Sequence, residues 1–281
     1  MNRGLFAIAA TAAIGASLLA GPEAHADTDV VYIGGTGTGM VPTSATVPQG
    51  FTAPFVHDVG TATNVKYNGA PWANPHAAAP KVSTIVQQQT NQTTIIGLSK
   101  GAQVARAAEQ RDTRTDTRYV LIGDPDDDHG ISRHFGFSPP KRAFTHDVNI
   151  VTAEYDGVGD FPDRPNYMAV MNAMAGWQQL HTQYGTGKAS DPLTRLNEAR
   201  VTTTTNPNGT TTTRTLIPTK HLPITQGIRN TLKRFGHTTA DKVVDQMDAK
   251  LRPTIDKGYS RNDKPKASKP AKAPKTTKVS K

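Results

Sequence analysis

"TTIIGLSKGAQVARAA" (residues 93–108) begins as a β-branched run and ends as an alanine-rich one. β-Branched side chains favour strands and alanine favours helix, so the stretch reads as a strand feeding directly into a helix. Gly97 and Gly101 bracket Ser99 at the junction. A G-x-S-x-G turn in that setting is a nucleophile elbow: the tight bend lifts the serine hydroxyl above the carboxyl end of the strand. The glycines two residues either side keep the backbone and the neighbouring strand from clashing. The first N–H groups of the new helix point at the same place. Glycine and serine also gather in ordinary turns; the position between a strand and a helix is what favours the chemical reading.

Outward from this stretch the pattern repeats. Val30–Ile33, "TRYVLIGDP" (117–125) and Val148–Tyr155 read as further short apolar strands, and "PNYMAVMNAMAGWQQLHTQYG" (165–185) reads as a helix with Met168, Met171, Ala175 and Leu180 on one side. Strands alternating with helices predict an α/β fold with a mainly parallel sheet covered on both faces. "EARVTTTTNPNGTTTTRTLIPT" (198–219) adds a threonine-rich hairpin around Asn206-Pro207-Asn208-Gly209. "ADKVVDQMDAKLRPTIDKGYSR" (240–261) predicts a closing helix with Val243, Val244, Met247 and Leu251 inward, stopping near Pro253. The 42–80 segment is rich in proline, threonine and alanine and supports only one or two short helices. It or the hairpin is the expected roof of a substrate cleft.

A serine hydroxyl needs a base, and the base an orienting acid. In folds with this elbow the chain order is Ser, then Asp or Glu, then His. Asp156 directly follows a strand in "VTAEYDGVGDFP" (151–162); Asp160 lies four residues on, and Asp124 follows an earlier strand. Three histidines come later than these acids: His181, which ends the helix after the acid loop, His221 and His237. His181 is the preferred base and His221 the alternative. The oxyanion of acyl transfer needs two preorganised N–H donors. Lys100, next to the nucleophile, supplies one, and Thr36 in "GGTGTG" (34–39), after the first strand, the other.

Several classes are disfavoured. The glycine turn lacks G-x-G-x-x-G spacing and a P-loop lysine, so no nucleotide cofactor is expected. "DPDDDHG" (124–130) spaces its carboxylates like a calcium loop, but the glycine falls one place late and Phe135 stands where the loop needs glutamate. No metal is expected. The chain has no cysteine, so no thiolate nucleophile and no disulfide is available. Residues 1–26 read as a signal peptide cleaved after Ala26, which predicts a secreted or cell-envelope protein with no later membrane span. Of the net charge of +9, seven units come from lysines of residues 264–281, leaving +2 elsewhere. The Lys/Pro-rich tail, 262–281, is expected to be disordered and able to hold anionic wall polymers. Nucleic acid is not expected, since aromatic residues for base stacking are sparse there. The folded unit is expected to span 27–261.

Taken in order, "VVYIGGTGTG", "IIGLSKGAQVA", "YVLIGDP", "AEYDGVGDFPDRPNYMAVMNAMAG", "LHTQY", "RTLIPTKHLPI" and "LRPTIDKGYSR" resemble the PE-PPE domain, a serine-hydrolase-like domain of mycobacterial cell-envelope proteins related to cutinases. The resemblance covers nearly all of residues 28–261. It implies an α/β-hydrolase fold, a Ser-Asp-His triad and action on lipid or acyl-sugar esters, with the acyl group passing to water or to a sugar hydroxyl. Ser99 matches the nucleophile, His181 the base, and Asp156 is the better match for the acid. The chain departs from the family in having a leader in place of the helical PE or PPE region, and in Lys100, where glutamine is more usual. The alternative function is a non-catalytic, wall-associated binding protein that keeps the fold.

Overall fold

The structure is a computed structural model that describes residues 28–37 and 47–263. Residues 1–27, where the signal peptide is expected, residues 38–46 and the lysine-rich stretch beyond residue 263 lie outside the described residues. The strands are β1 (Thr28–Ile33), β2 (Val59–Asn64), β3 (Thr93–Leu98), β4 (Thr117–Ile122), β5 (Asp147–Ala153), β6 (Arg200–Thr205) and β7 (Thr211–Ile217). They form one sheet in the order β2-β1-β3-β4-β5-β7-β6, parallel throughout except for the β6–β7 edge. The helices are α1 (Gln49–Thr52), α2 (Ala79–Gln87), α3 (Lys100–Glu109), α4 (Ile131–His134), α5 (Tyr167–Gln179), α6 (Pro223–Arg234) and α7 (Ala240–Asp256).

Strand side chains alternate between two cores. Val31, Ile33, Ile95 and Leu121 pack with α2 and α3 on one face. Val30, Tyr32, Ile96 and Ile122 pack with Phe51, Tyr184 and Leu193 on the other. A third, smaller core joins Tyr155 to Ala169, Leu222, Ile255 and Tyr259 of the α5–α7 region. The central strands β1, β3, β4 and β5 are thus buried on both faces, as a parallel sheet requires. From β1 the chain goes to one neighbour, β2, and then back to the other, β3. That reversal opens a crevice outside the carboxyl ends of β1 and β3, where open α/β sheets bind ligands.

Some elements differ from the sequence reading. The 42–80 segment holds a whole strand, β2, on the sheet edge. The threonine-rich hairpin extends the central sheet, with β7 parallel to β5. Its turn reaches Thr145, at the amino end of β5, through Asn208, so it stands at the opposite end from Ser99 and cannot roof that site. Helix α7 runs through Pro253 to Asp256. The proline ring faces solvent, and Arg252 anchors the same turn to Tyr155 and to the carbonyl of Thr219. Val243 faces outward while Val244 is buried. Helix α5 buries Ala169, Asn172, Ala173 and Gly176 and turns Met171 outward. Asn262 and Asp263, assigned above to the tail, are held by the Asp256 carbonyl and by Arg164. Among the described residues, no helix is long and apolar enough to cross a membrane.

Candidate active site

Ser99 stands between β3 and α3 with φ 54° and ψ −119°. That region is costly for a side chain with a Cβ. Three contacts hold the bend. The Ser99 N–H donates to the Ile122 carbonyl at 2.8 Å, and the Ser99 carbonyl accepts the Ala102 N–H at 2.8 Å. The third is steric: a Cβ on Gly101 would lie 2.0 Å from the Ile33 carbonyl oxygen, and one on Gly97 would lie 2.5 Å from that of Gly101. Only glycine fits at either place, so α3 can pass directly over the end of β1. The glycine turn after β1 comes up beside the serine: a Cβ on Gly35 would lie 3.3 Å from Ser99 Cβ.

Asp156 follows β5 and is fully buried. Its Oδ1 accepts the Val158 N–H at 2.9 Å, and its Oδ2 accepts the Tyr184 hydroxyl at 3.0 Å. His181 Nδ1 lies 3.0 Å from both carboxylate oxygens. His181 opens a 3-10 turn (His181–Gln183) just past α5 and is itself buried. The same turn places Tyr184 three residues later, where its hydroxyl also accepts the Ala153 N–H at 2.7 Å. Burial and the neighbouring Asp156 push the Tyr184 phenol far above its ordinary range, so it stays a donor.

The serine and the imidazole meet the same corner of the sheet. Gly123, one residue past the Ile122 carbonyl that holds Ser99, has φ 56°, and a Cβ there would lie 2.8 Å from His181 Cε1. With Nδ1 on Asp156, Nε2 is the nitrogen left for a reacting group. Among the described residues Ser99 Oγ makes no hydrogen bond.

The other candidates sit elsewhere. Asp160 accepts the Tyr155 N–H at 2.7 Å and takes Arg261 Nε at 2.9 Å and Nη2 at 2.8 Å, with no contact to His181. Asp124 is buried under Arg106. His221 lies beside Arg229 and Asp245. That histidine, Asp245 and Asp248 are close enough to hold a cation, but the Arg229 guanidinium already occupies the space, donating to Asp245 at 2.7 Å. In the acidic loop, Asp127 and Asp128 are met by Arg214, and Asp128 also by Lys141.

The expected oxyanion donors are placed unequally. Lys100 begins α3, where its N–H has no preceding turn to bond. Its ammonium turns aside onto the Ala70 and Pro71 carbonyls, and burial lowers its pKa from the ordinary lysine value. Thr36 is exposed, beside Gly37, whose N–H donates to the Gly69 carbonyl at 2.9 Å. Gly35, one residue before Thr36, comes up directly against Ser99. Tyr184, Gly123 and the Asp160–Arg261 pair escaped the sequence reading as parts of the site's frame. The only signal for Tyr184 was its spacing from His181 in "LHTQY".

A model of the PE-PPE domain matches residues 73–260. A diacyltrehalose acyltransferase of Mycobacterium tuberculosis is 32% identical over 63% of this chain and 54% of its own. An SL1278 acyltransferase of that organism is 28% identical over 74% of this chain and 56% of its own. An esterase of the same organism is 27% identical over 91% and 52%. The chain therefore spans about half the length of the curated relatives it matches. A solved cutinase-like protein from Cryptococcus sp. is 21% identical with a TM-score of 0.36, over 48% of this chain and 79% of that one.

Proposed function

The chain belongs to the PE-PPE domain family, and from that premise we propose that it is a serine-dependent carboxylic ester hydrolase or acyltransferase acting on lipid or acyl-sugar esters. One observation carries the proposal: a buried Asp156–His181 pair stands at the same sheet corner that holds Ser99 in a strained bend. Ser99 Oγ attacks the ester carbonyl while His181 Nε2 takes its proton. Asp156 fixes the imidazole and stabilises its charged form. The Lys100 N–H and one from the Thr36 turn hold the oxyanion. Collapse expels the alcohol, which takes the proton from His181 and leaves acyl-Ser99. Water or a sugar hydroxyl then attacks the acyl carbon and gives its proton to His181. A second tetrahedral species collapses, the proton returns to Ser99, and the acid or the new ester leaves.

Relatives named for both acyl transfer and ester hydrolysis support both outcomes of the second step. Export with cleavage after Ala26, an envelope location, and retention on anionic polymers by the tail complete the proposal. The test is labelling with a fluorophosphonate and turnover of p-nitrophenyl esters of graded chain length. We expect both in the wild type and neither in Ser99→Ala. Labelling that persists in Ser99→Ala, or no reaction in either protein, overturns the reading and favours the non-catalytic alternative.

A further inference from the structure

A second cleft, of about 390 Å³, lies between the C-terminal half of α3 and the segment 133–144. His76, Arg106, Arg111, Arg133, Lys141 and Arg142 line it, and no carboxylate does. Three of these cations already face carboxylates outside the lining. Arg106 is paired with Asp124, Lys141 with Asp128, and His76 Nε2 lies 3.8 Å from Asp126. Among the described residues the three others meet no carboxylate. Among the described residues the Arg133 guanidinium donates only to the Pro139 and Asp126 carbonyls, at 2.7 and 3.1 Å, and its Nε is buried without a partner. Arg111 and Arg142 are exposed and make no side-chain hydrogen bond or ion pair among the described residues.

Three guanidinium groups converging on one cleft repel each other unless an anion joins them. A carboxylate offers two oxygens; a phosphate offers enough to take a fork from each arginine. The cleft also exceeds what an inorganic anion fills, and Pro139, Pro140 and Phe144 give it an apolar side. It is separate from Ser99: Arg106 follows the serine by seven residues, roughly 10 Å along α3, and Arg111 lies beyond the far end of that helix. We propose that this cleft is a binding site for a phosphate ester, whose oxygens bridge Arg111, Arg133 and Arg142 and whose carbon body rests on Pro139, Pro140 and Phe144.

The experiment compares the full chain with the double variant Arg111→Gln/Arg142→Gln. A control, Lys188→Gln/Arg234→Gln, removes the same charge elsewhere. The four side chains are exposed and without ion pairs among the described residues, so all three proteins should fold, which their ligand-free melting temperatures verify. One arm titrates inorganic phosphate and glycerol 3-phosphate against chloride of equal ionic strength. The other measures retention on phosphatidylcholine vesicles with and without phosphatidylglycerol. The expected result is a loss of about tenfold or more in the Arg111/Arg142 variant alone. A loss in the first arm identifies a soluble phosphate ester, and a loss confined to the second a lipid headgroup. Equal behaviour of the two variants in both arms, or no response to phosphate, glycerol 3-phosphate or phosphatidylglycerol vesicles in any protein, overturns the proposal.

Discussion

At the scale of single residues, two non-glycine positions in the described chain have φ above zero, Ser99 and Tyr155. One bears the proposed nucleophile and the other precedes the proposed acid. Such a residue costs about 1–3 kcal/mol. Glycine relieves that cost while adding some freedom to the unfolded chain. Ser99→Gly should therefore gain about 1 kcal/mol, or about 2–4 °C in melting temperature, with no labelling by fluorophosphonate. Ser99→Ala keeps the Cβ and should melt like the wild type. The two candidate acids separate in the same way. Asp156 faces His181, so Asp156→Asn should lower kcat by about 10⁴ through the wrong imidazole tautomer, with a small change in stability. Asp160→Asn leaves the buried Arg261 with only the more distant Glu154 carboxylate, at 3.6 Å, and should cost about 3 kcal/mol of stability. Its remaining folded fraction should turn over near the wild-type rate. Urea denaturation beside initial rates on a p-nitrophenyl ester reads both. A larger rate loss for Asp160→Asn would reverse the assignment.

At the scale of elements, the acid loop and α5 meet through glycine. A Cβ on Gly176 would lie 1.9 Å from the Tyr155 carbonyl oxygen, and one on Gly157 would lie 2.1 Å from that of Ala173. Gly176→Ala must push α5 off the loop that carries Asp156, and His181 follows α5. We expect a loss of about 2–3 kcal/mol together with slower labelling of Ser99. Gly227, in α6, has nothing within 4 Å of its missing Cβ, and Gly227→Ala should stabilise by up to about 1 kcal/mol with labelling unchanged. This contact also marks where sequence legibility ends. β1, β3, β4 and β5 were readable because each is a short apolar run buried on both faces. The elbow was readable because its glycines are required within six residues. β2, "VGTATN", is an exposed edge strand with no apolar alternation to reveal it. The inward face of α5 is mostly small, Ala169, Asn172, Ala173 and Gly176, so of the expected side Met168 packs on the third core and Leu180 is buried, while Met171 turns outward. Arg261 meets Asp160 across 101 residues, and no local pattern encodes that contact.

At the scale of the whole molecule, the proposed chemistry sits at the carboxyl end of the sheet, and a buried ionic cluster closes the opposite end. His146, just before β5, places Nδ1 3.2 Å from Glu109 Oε1 and Nε2 2.8 Å from the Arg114 carbonyl, with Asp112 Oδ2 at 3.6 Å. Both ring nitrogens thus face acceptors, which suits the imidazolium. Burial alone would lower the pKa of His146. The Glu109 and Arg114 acceptors and the charges of Asp112 and Glu109 outweigh it and raise the pKa above 6.5. Burial likewise opposes ionisation of Glu109, yet hydrogen bonds from His146 and Thr145 hold its pKa below 4.5. The raised histidine contributes stability that is fully present below 6.5 and is lost as pH rises through its folded value. The depressed glutamate contributes stability that is present above 4.5 and is lost as pH falls through its folded value. The cluster joins the end of α3 to the start of β5, so it holds the sheet most firmly between those limits. A plot of melting temperature against pH should fall on the alkaline side of about 6.5. His146→Gln should lower the plateau and flatten that alkaline fall. An alkaline fall of equal steepness in His146→Gln would assign the dependence to another group.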